Sequence, residues 1–321
     1  MKRTIKKILY GAGFLIIALL LIGLVLAYMP SKLKKSHKGI SQEQATVMRD
    51  DFKGAHHLLT TSDKETLFIR RWNPDSIEAT KKDVAVLLFH GFTAHSGAGP
   101  YDSAGHIIAK RGFTTFGLDY RGHGLSSGNR GDCPNKERWL ADLKESVTYV
   151  KSLGYSKMVI MGHSLGVAAA IYATMAIPEE VSGLILLSGA YERREGLANP
   201  IPLYDKAKIL SSSVFRPSFQ AVEYYRDGMT GVDDSLFNFK YTLRYMTMMD
   251  VKELKLPKQL NIPVLVAVGD KDELFEAEKV KDLYNDVPGN KKTFLVLHDT
   301  YHAKFPEASW EELAGWLNNN F

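Results

Sequence analysis

The sequence predicts an α/β protein with a mostly parallel central sheet flanked by helices. Three observations carry that prediction. Short apolar runs such as DVAVLLFHG (83–91), KMVIMG (157–162) and IPVLVAVGD (262–270) end in Gly or Asp, the pattern of strands buried on both faces. Segments with apolar residues at helical spacing stand between such runs. The two kinds of segment alternate through most of the chain, the rhythm of a parallel sheet. At 321 residues, with 45% hydrophobic and 24% charged, the chain can bury a large core as one big domain or two smaller ones.

Taken in order, the elements begin with Ile8 to Met29, an uncharged apolar stretch. It has the length of a helix that crosses a bilayer. Lys2, Arg3, Lys6 and Lys7 precede it, and Lys32, Lys34, Lys35 and Lys38 follow. A buried core helix of this length would carry a polar face, and this one has none. Residues 1–30 are therefore expected to be a single-pass N-terminal membrane anchor. The rival is a secretory signal cleaved after Val25-Leu26-Ala27. The flanks are equally basic, so the positive-inside rule gives no direction. The free amino terminus favours a body outside the cytoplasm, with the cytoplasmic face as the alternative.

Residues 31–53 read as a polar linker, and 54–321 as the body. HHLLTT (56–61) and TLFIRRW (66–72) flank Ser62-Asp63-Lys64-Glu65 as a β-hairpin. The strand 83–91 leads to a helix at 101–111, a strand at 112–120 and a helix over 135–153. That last helix spaces Trp139, Leu143, Val147 and Val150 on one face and ends at Gly154. The strand 157–162 precedes a helix over 165–176, stopped by Pro178. Strands at 181–189, 262–270 and 292–299 and helices at 275–287 and 306–319 complete the series. From about 191 to 258 no long strand appears; the stretch is rich in Phe, Tyr and Met and reads as a helical insertion. Its side chains suit either core or an adaptable apolar pocket.

The net charge of +5 belongs to the N-terminal segment. The first forty residues hold eight Lys/Arg and no Asp or Glu, which leaves 33 basic against 36 acidic residues elsewhere. No basic stripe with interleaved aromatics is present, so a nucleic-acid partner is not expected. Cys133 is the one cysteine, so no intramolecular disulfide forms. There is no Walker A motif and no strand-linked G-x-G-x-x-G, so no nucleotide cofactor is expected. His90 and His95 stand without an H-E-x-x-H or a carboxylate cluster, so no metal is expected either. Oligomeric state is open.

The chemistry-bearing residues fall at the C-terminal ends of strands, where open α/β sheets bind ligands. Gly162-His163-Ser164-Leu165-Gly166 matches G-x-S-x-G, weak by itself, but it stands between an apolar strand and a helix. That is the setting of a nucleophile elbow, with Gly162 and Gly166 allowing the tight turn. A serine hydroxyl needs a base, and the base needs an orienting carboxylate. His302 follows the last strand and Asp272 the one before it, in the chain order Ser…Asp…His. His298 is a rival base at the edge of its strand; Asp270 and then Glu273 are rival acids. His90-Gly91-Phe92 ends the first long strand, and the N–H groups of Phe92 and Leu165 can form an oxyanion hole. His163 is expected to point away from substrate, His90 to hold the oxyanion loop, and Arg121 and His123 to fix the 119–128 loop.

With FHGFTAHSG (89–97), LDYRGHGLSSG (118–128), MGHSLG (161–166), GDKD (269–272) and Tyr301-His302, the chain resembles the α/β-hydrolases. The resemblance is to the monoacylglycerol lipase/lysophospholipase group, also called serine aminopeptidase S33 or Hydrolase-4, and runs from about residue 55 to 321. It implies the α/β-hydrolase fold with a helical cap at the insertion. It implies Ser164 as nucleophile, His302 as base, Asp272 as acid by its G-x-x-D spacing, and Phe92 and Leu165 as oxyanion donors. The expected function is cleavage of carboxylic esters of lipid-like substrates through an acyl-enzyme. Alternatives are a peptidase, amidase or other hydrolase on the same scaffold, and a non-catalytic binding protein. The membrane span departs from the usual soluble member of the group and is inferred separately.

Overall fold

The computed structural model describes residues 2–31, 39–74, 81, 83–197, 200–225, 228–249 and 254–321. The basic flank from Lys32 to Lys38 lies outside the described residues, as do parts of the expected linker and insertion. Helices α1 (Lys2–Tyr28) and α2 (Gln42–Asp50) precede the strands β1 (His56–Thr60) and β2 (Thr66–Trp72). There follow β3 (Val84–Phe89), α3 (Gly99–Lys110), β4 (Thr114–Leu118), α4 (Lys136–Ser152), β5 (Lys157–His163), α5 (Leu165–Ala176) and β6 (Gly183–Leu187). The insertion holds α6 (Leu203–Phe215), β7 (Val222–Glu223), β8 (Lys240–Tyr241) and α7 (Leu243–Met248). Last come β9 (Val264–Gly269), α8 (Ala277–Asp286), β10 (Lys292–Leu297) and α9 (Glu307–Asn320).

Eight strands form one sheet in the order β1-β2-β4-β3-β5-β6-β9-β10. The β1–β2 and β2–β4 pairings are antiparallel, and the other five are parallel. Strand β3 shows why the apolar runs have no polar alternation. All six of its residues are buried, and they alternate between two cores. Ala85, Leu87 and Phe89 face the core built with Trp139, Leu143, Val147 and Val150 of α4 and with α5. Val84, Val86 and Leu88 face the core built with Tyr101 and Ile108 of α3 and Trp310 and Leu313 of α9. Period-2 side-chain direction divides one continuous apolar run between two helix layers. Asn135 caps α4 by accepting the Arg138 N–H at 2.8 Å, and Gly154 just past its end takes φ 101°.

Within the expected linker, Gln42–Asp50 is helical. Ser41 Oγ accepts the Gln44 N–H, and Gln44 Oε1 accepts the Ser41 N–H at 2.8 Å, a capping box. In α1, Ile5–Tyr28 has a mean hydropathy of 2.7 and is long and apolar enough to cross a membrane; a signal sequence has the same pattern.

The insertion leaves the sheet after β6 and returns at β9. Its β7 and β8 pair antiparallel, Val222 opposite Tyr241. Phe237, Phe239, Tyr241 and Tyr245 are buried, so these aromatics serve as core. Leu203, Leu210 and Val214 of α6 are exposed.

Candidate active site

The parallel strands end together, and the loops after β3, β5, β9 and β10 converge there. Strand β5 ends at His163, and α5 starts at Leu165, so Ser164 alone turns the chain. It does so at φ 55° and ψ −118°, a conformation that costs a non-glycine residue on the order of 1–3 kcal/mol. The surroundings hold it there. Its N–H donates to the Leu187 carbonyl of β6 at 2.9 Å, and its own carbonyl accepts from Val167 at 3.0 Å. A Cβ at Gly162 would collide with the Gly166 carbonyl, and one at Gly166 with the Phe89 carbonyl. Both glycines are there for close approach of helix to strand.

Ser164 Oγ lies 3.0 Å from His302 Nε2, and His302 Nδ1 lies 3.1 Å from Asp272 Oδ2. The other carboxylate oxygen of Asp272 accepts the N–H groups of Leu274 and Phe275 at 2.8 and 2.9 Å. Burial alone would push the Asp272 carboxyl up. The hydrogen bond and charge of His302, with the two backbone donors, outweigh it and hold the group below its usual value. Asp272 is therefore a charged acceptor that fixes the His302 ring. Asp270 and His298 pair with each other at 2.9 Å, and Asp270 also accepts the Thr300 N–H. Glu273 accepts the backbone N–H of His302 at 3.0 Å.

The loop after β3 faces Ser164. Leu165 is the first residue of α5, so its N–H belongs to the helix-end amides that lack an intrahelical partner. Phe92 stacks on Tyr241 at 4.3 Å and meets Tyr224 edge-on at 4.7 Å, both from the insertion. The neighbouring Thr93, at φ 72°, accepts the Asn238 N–H at 2.8 Å, and His95 pairs with Asp234 at 2.9 Å. The insertion is thus fastened onto this loop. Asp119 fastens it from behind, accepting the N–H groups of Ser96 and Leu125. Arg121 bonds Asp142 and Asp63, each at 2.8 Å, while His123 Nδ1 meets the Arg121 carbonyl.

A family profile described as serine aminopeptidase, S33 (Hydrolase_4) matches residues 80–309. The chain belongs to the serine aminopeptidase S33 family. The matched stretch contains Ser164, Asp272 and His302. This S33 hydrolase is 25% identical over 285 residues to rat (Rattus norvegicus) monoglyceride lipase, covering 81% of this chain and 89% of that one. It is also 25% identical to an uncharacterised abhydrolase domain-containing protein of Dictyostelium discoideum, over 81% of this chain but 28% of that one. Among solved structures, a soluble variant of the Saccharomyces cerevisiae monoglyceride lipase in complex with a substrate analogue superposes with a TM-score of 0.64. At 16% identity over 91% of this chain and 97% of that one, the likeness is one of fold.

In this S33 hydrolase a further relay joins the two sides of the site, and sequence reasoning missed it. The Gly91 N–H donates to Tyr101 Oη at 2.7 Å, and Tyr101 Oη lies 2.7 Å from His163 Nδ1. His163 Nε2 lies 2.9 Å from the His302 carbonyl. Only one ring tautomer satisfies both ends: Nε2–H donates to the carbonyl, and Nδ1 accepts the Tyr101 proton. Burial first, and the nearby His302 second, bring His163 down to about 3, so the ring is neutral near pH 7. His90 is likewise brought down to about 4 by burial, and its Nδ1 meets the Gly91 carbonyl at 2.8 Å. Tyr101 opens a helix in the sequence and gives no periodic or motif signal of its own.

Proposed function

We propose that the protein is a membrane-anchored serine hydrolase of carboxylic esters, acting on monoacylglycerol- or lysophospholipid-like lipids. The observation that carries this reading is the relay Asp272–His302–Ser164, with Ser164 held on a strained turn at a helix start. Ser164 Oγ attacks the ester carbonyl while His302 Nε2 takes its proton. Asp272 orients the ring through Nδ1 and stabilises the imidazolium that forms. The N–H groups of Phe92 and Leu165 hold the oxygen that becomes negative in the tetrahedral intermediate. His302 then gives the proton to the leaving alcohol, leaving an acyl group on Ser164. Water, deprotonated by His302, releases the fatty acid and restores the serine.

The layout proposed is an anchor over 1–30, a linker over 31–53 and a hydrolase body over 54–321, with the insertion at about 191–258 as a cap. Helix α1 would hold the body at the membrane on the extracytoplasmic side. Two observations support a lipid ester. One is the likeness to a rat relative named monoglyceride lipase. The other is the aromatic pair of Phe92 and Tyr224, both partly exposed, beside the proposed oxyanion site. The family's description as an aminopeptidase keeps an amide substrate as the second reading. The test is the detergent-solubilised protein assayed on glycerol and phospholipid esters of graded acyl length, beside aminoacyl amides. Ester turnover that falls by orders of magnitude in Ser164→Ala is expected; turnover of the amides alone would replace the lipid reading with the second one.

A further inference from the structure

Among the described residues, helix α6 has one side without protein cover. Leu203, Leu210 and Val214 are 82%, 61% and 67% exposed, and Lys206 is exposed with them. Offsets of 3, 7 and 11 residues put these four on one stripe. Asp205, Lys208, Ile209 and Ser212 are buried on the other faces. Such an apolar stripe on the outside of a domain marks a contact with another apolar phase.

What lies beside the stripe is the last part of α1. Tyr204 Oη donates to the Pro30 carbonyl at 3.1 Å, and Ser31 Oγ donates to Asp205 at 2.8 Å. Ser212 Oγ meets the Ala27 carbonyl at 3.5 Å, and a Cβ on Gly23 would stand 3.0 Å from the Phe215 ring. Ala27 is fully buried. Gly23 and Ala27, four residues apart, form the small-residue seam that lets two helices approach closely in a membrane. The pairing is antiparallel: later residues of α6 meet earlier residues of α1. Gly23 stands five residues inside Tyr28, about 7.5 Å along the helix axis. The segment Ser211–Phe215 therefore runs beside the apolar span, where Leu20, Ile22 and Leu24 are themselves 51%, 56% and 41% exposed. Arg216 follows at once, and it reaches back toward the end of the span. Its Nη1 donates to the Ala27 carbonyl at 3.2 Å, and its guanidinium lies 4.6 Å from the centre of the Tyr28 ring. A cation at the edge of hydrocarbon extends in that way toward the headgroups.

We propose that α1 and α6 enter the bilayer as a clamped pair, with Leu210 and Val214 of α6 among the lipid acyl chains. The partner of the insertion's outer face is then the membrane itself, and the anchor fixes the insertion against it. The inference rests on α1 being a membrane span and is independent of ester hydrolysis.

The test uses the full chain in phosphatidylcholine–phosphatidylglycerol vesicles, with an environment-sensitive fluorophore on Leu210→Cys or Val214→Cys. Leu153→Cys on the body and Leu20→Cys in the span are the references. The buried Cys133 stays, and unsubstituted protein is the labelling blank. Lipids spin-labelled on the upper acyl chain are expected to quench positions 210 and 214 several-fold more than 153, and deeply spin-labelled lipids to quench position 20. Quenching at 210 and 214 no stronger than at 153, with position 20 quenched, overturns the inference and leaves the anchor. An unquenched position 20 overturns both. Gly23→Phe, which wedges the helices apart, is expected to lower quenching at 214, and unchanged quenching there overturns the clamp. Ester turnover in the same samples is a separate reading, so loss of activity does not decide the matter.

Discussion

Tyr101 hydroxyl stands between the Gly91 N–H and His163, and His163 holds the carbonyl of His302. Tyr101→Phe leaves a buried N–H and a buried ring nitrogen without partners, at about 1–3 kcal/mol for each unsatisfied group. If this relay positions both the oxyanion loop and His302, ester kcat falls about tenfold, a cost of about 1.4 kcal/mol in the barrier. KM for a short soluble ester stays near its original value. Steady-state kinetics on folded variant protein check this, and an unchanged kcat contradicts the positioning role. At this scale the sequence was informative where residues sit at strand ends. Ser164 and His302 are visible because one follows a buried strand inside a motif and the other follows the last strand. Asp272 and Asp270 are not separable by local pattern; the family spacing points to Asp272, and in space Asp270 is engaged with His298. Tyr101 lies 62 residues from His163, and nothing in the chain advertises a contact over that separation.

The joint between β5 and α5 depends on absent side chains. In Gly166→Ala the new methyl group meets the Phe89 carbonyl of β3, so α5 must move off the sheet. A loss of more than about 3 kcal/mol of stability is expected, the range of a buried steric clash in a packed core. Urea unfolding measures it; a change within about 0.5 kcal/mol would contradict the close-approach argument. The insertion depends on charge instead. Asp132 accepts from Thr242 at 2.7 Å and from Arg244 Nε at 2.7 Å, which ties α7 to the loop after β4. Burial pushes the Asp132 carboxyl up, and the Arg244 bond leads the contacts that hold it below its usual value. Arg244→Ala strands that charge, so faster proteolytic cutting within 228–249 is expected; an unchanged cleavage rate would show that the tie is dispensable. The strands and long helices were legible because burial on two faces or one leaves a period. The short elements inside the insertion were not, since two-residue strands and a six-residue helix are too short to show one. Helix α2 hid in a polar stretch, although Ser41 and Gln44 carry the spacing of its capping box.

Across the whole molecule, His90 and His163 are brought by burial to about 4 and about 3, and His123 is lowered by burial as well. Their unfolded value is about 6.5. Between the two values the unfolded chain binds protons that the folded chain refuses, so stability rises with pH. The stability is complete above about pH 6.5 and is lost as pH falls toward the folded values, at up to about 1.4 kcal/mol per pH unit for each histidine. A urea midpoint that drops steeply from about pH 7 to about pH 5 is expected; a flat midpoint would mean these rings titrate freely when folded. The α/β-hydrolase architecture was legible at this scale, because alternation and strand-end motifs agree along the chain. The contact of α1 with α6 was not, because an apolar N-terminal helix and an insertion about 180 residues apart share no pattern that links them. The proposed chemistry turns on Ser164 as the residue that takes the acyl group. A fluorophosphonate probe followed by peptide mass spectrometry tests it most directly. One phosphonyl adduct is expected, on the peptide holding Ser164, formed far more slowly in His302→Ala. An unlabelled Ser164 in protein that still hydrolyses esters, or an adduct on another serine, would contradict it.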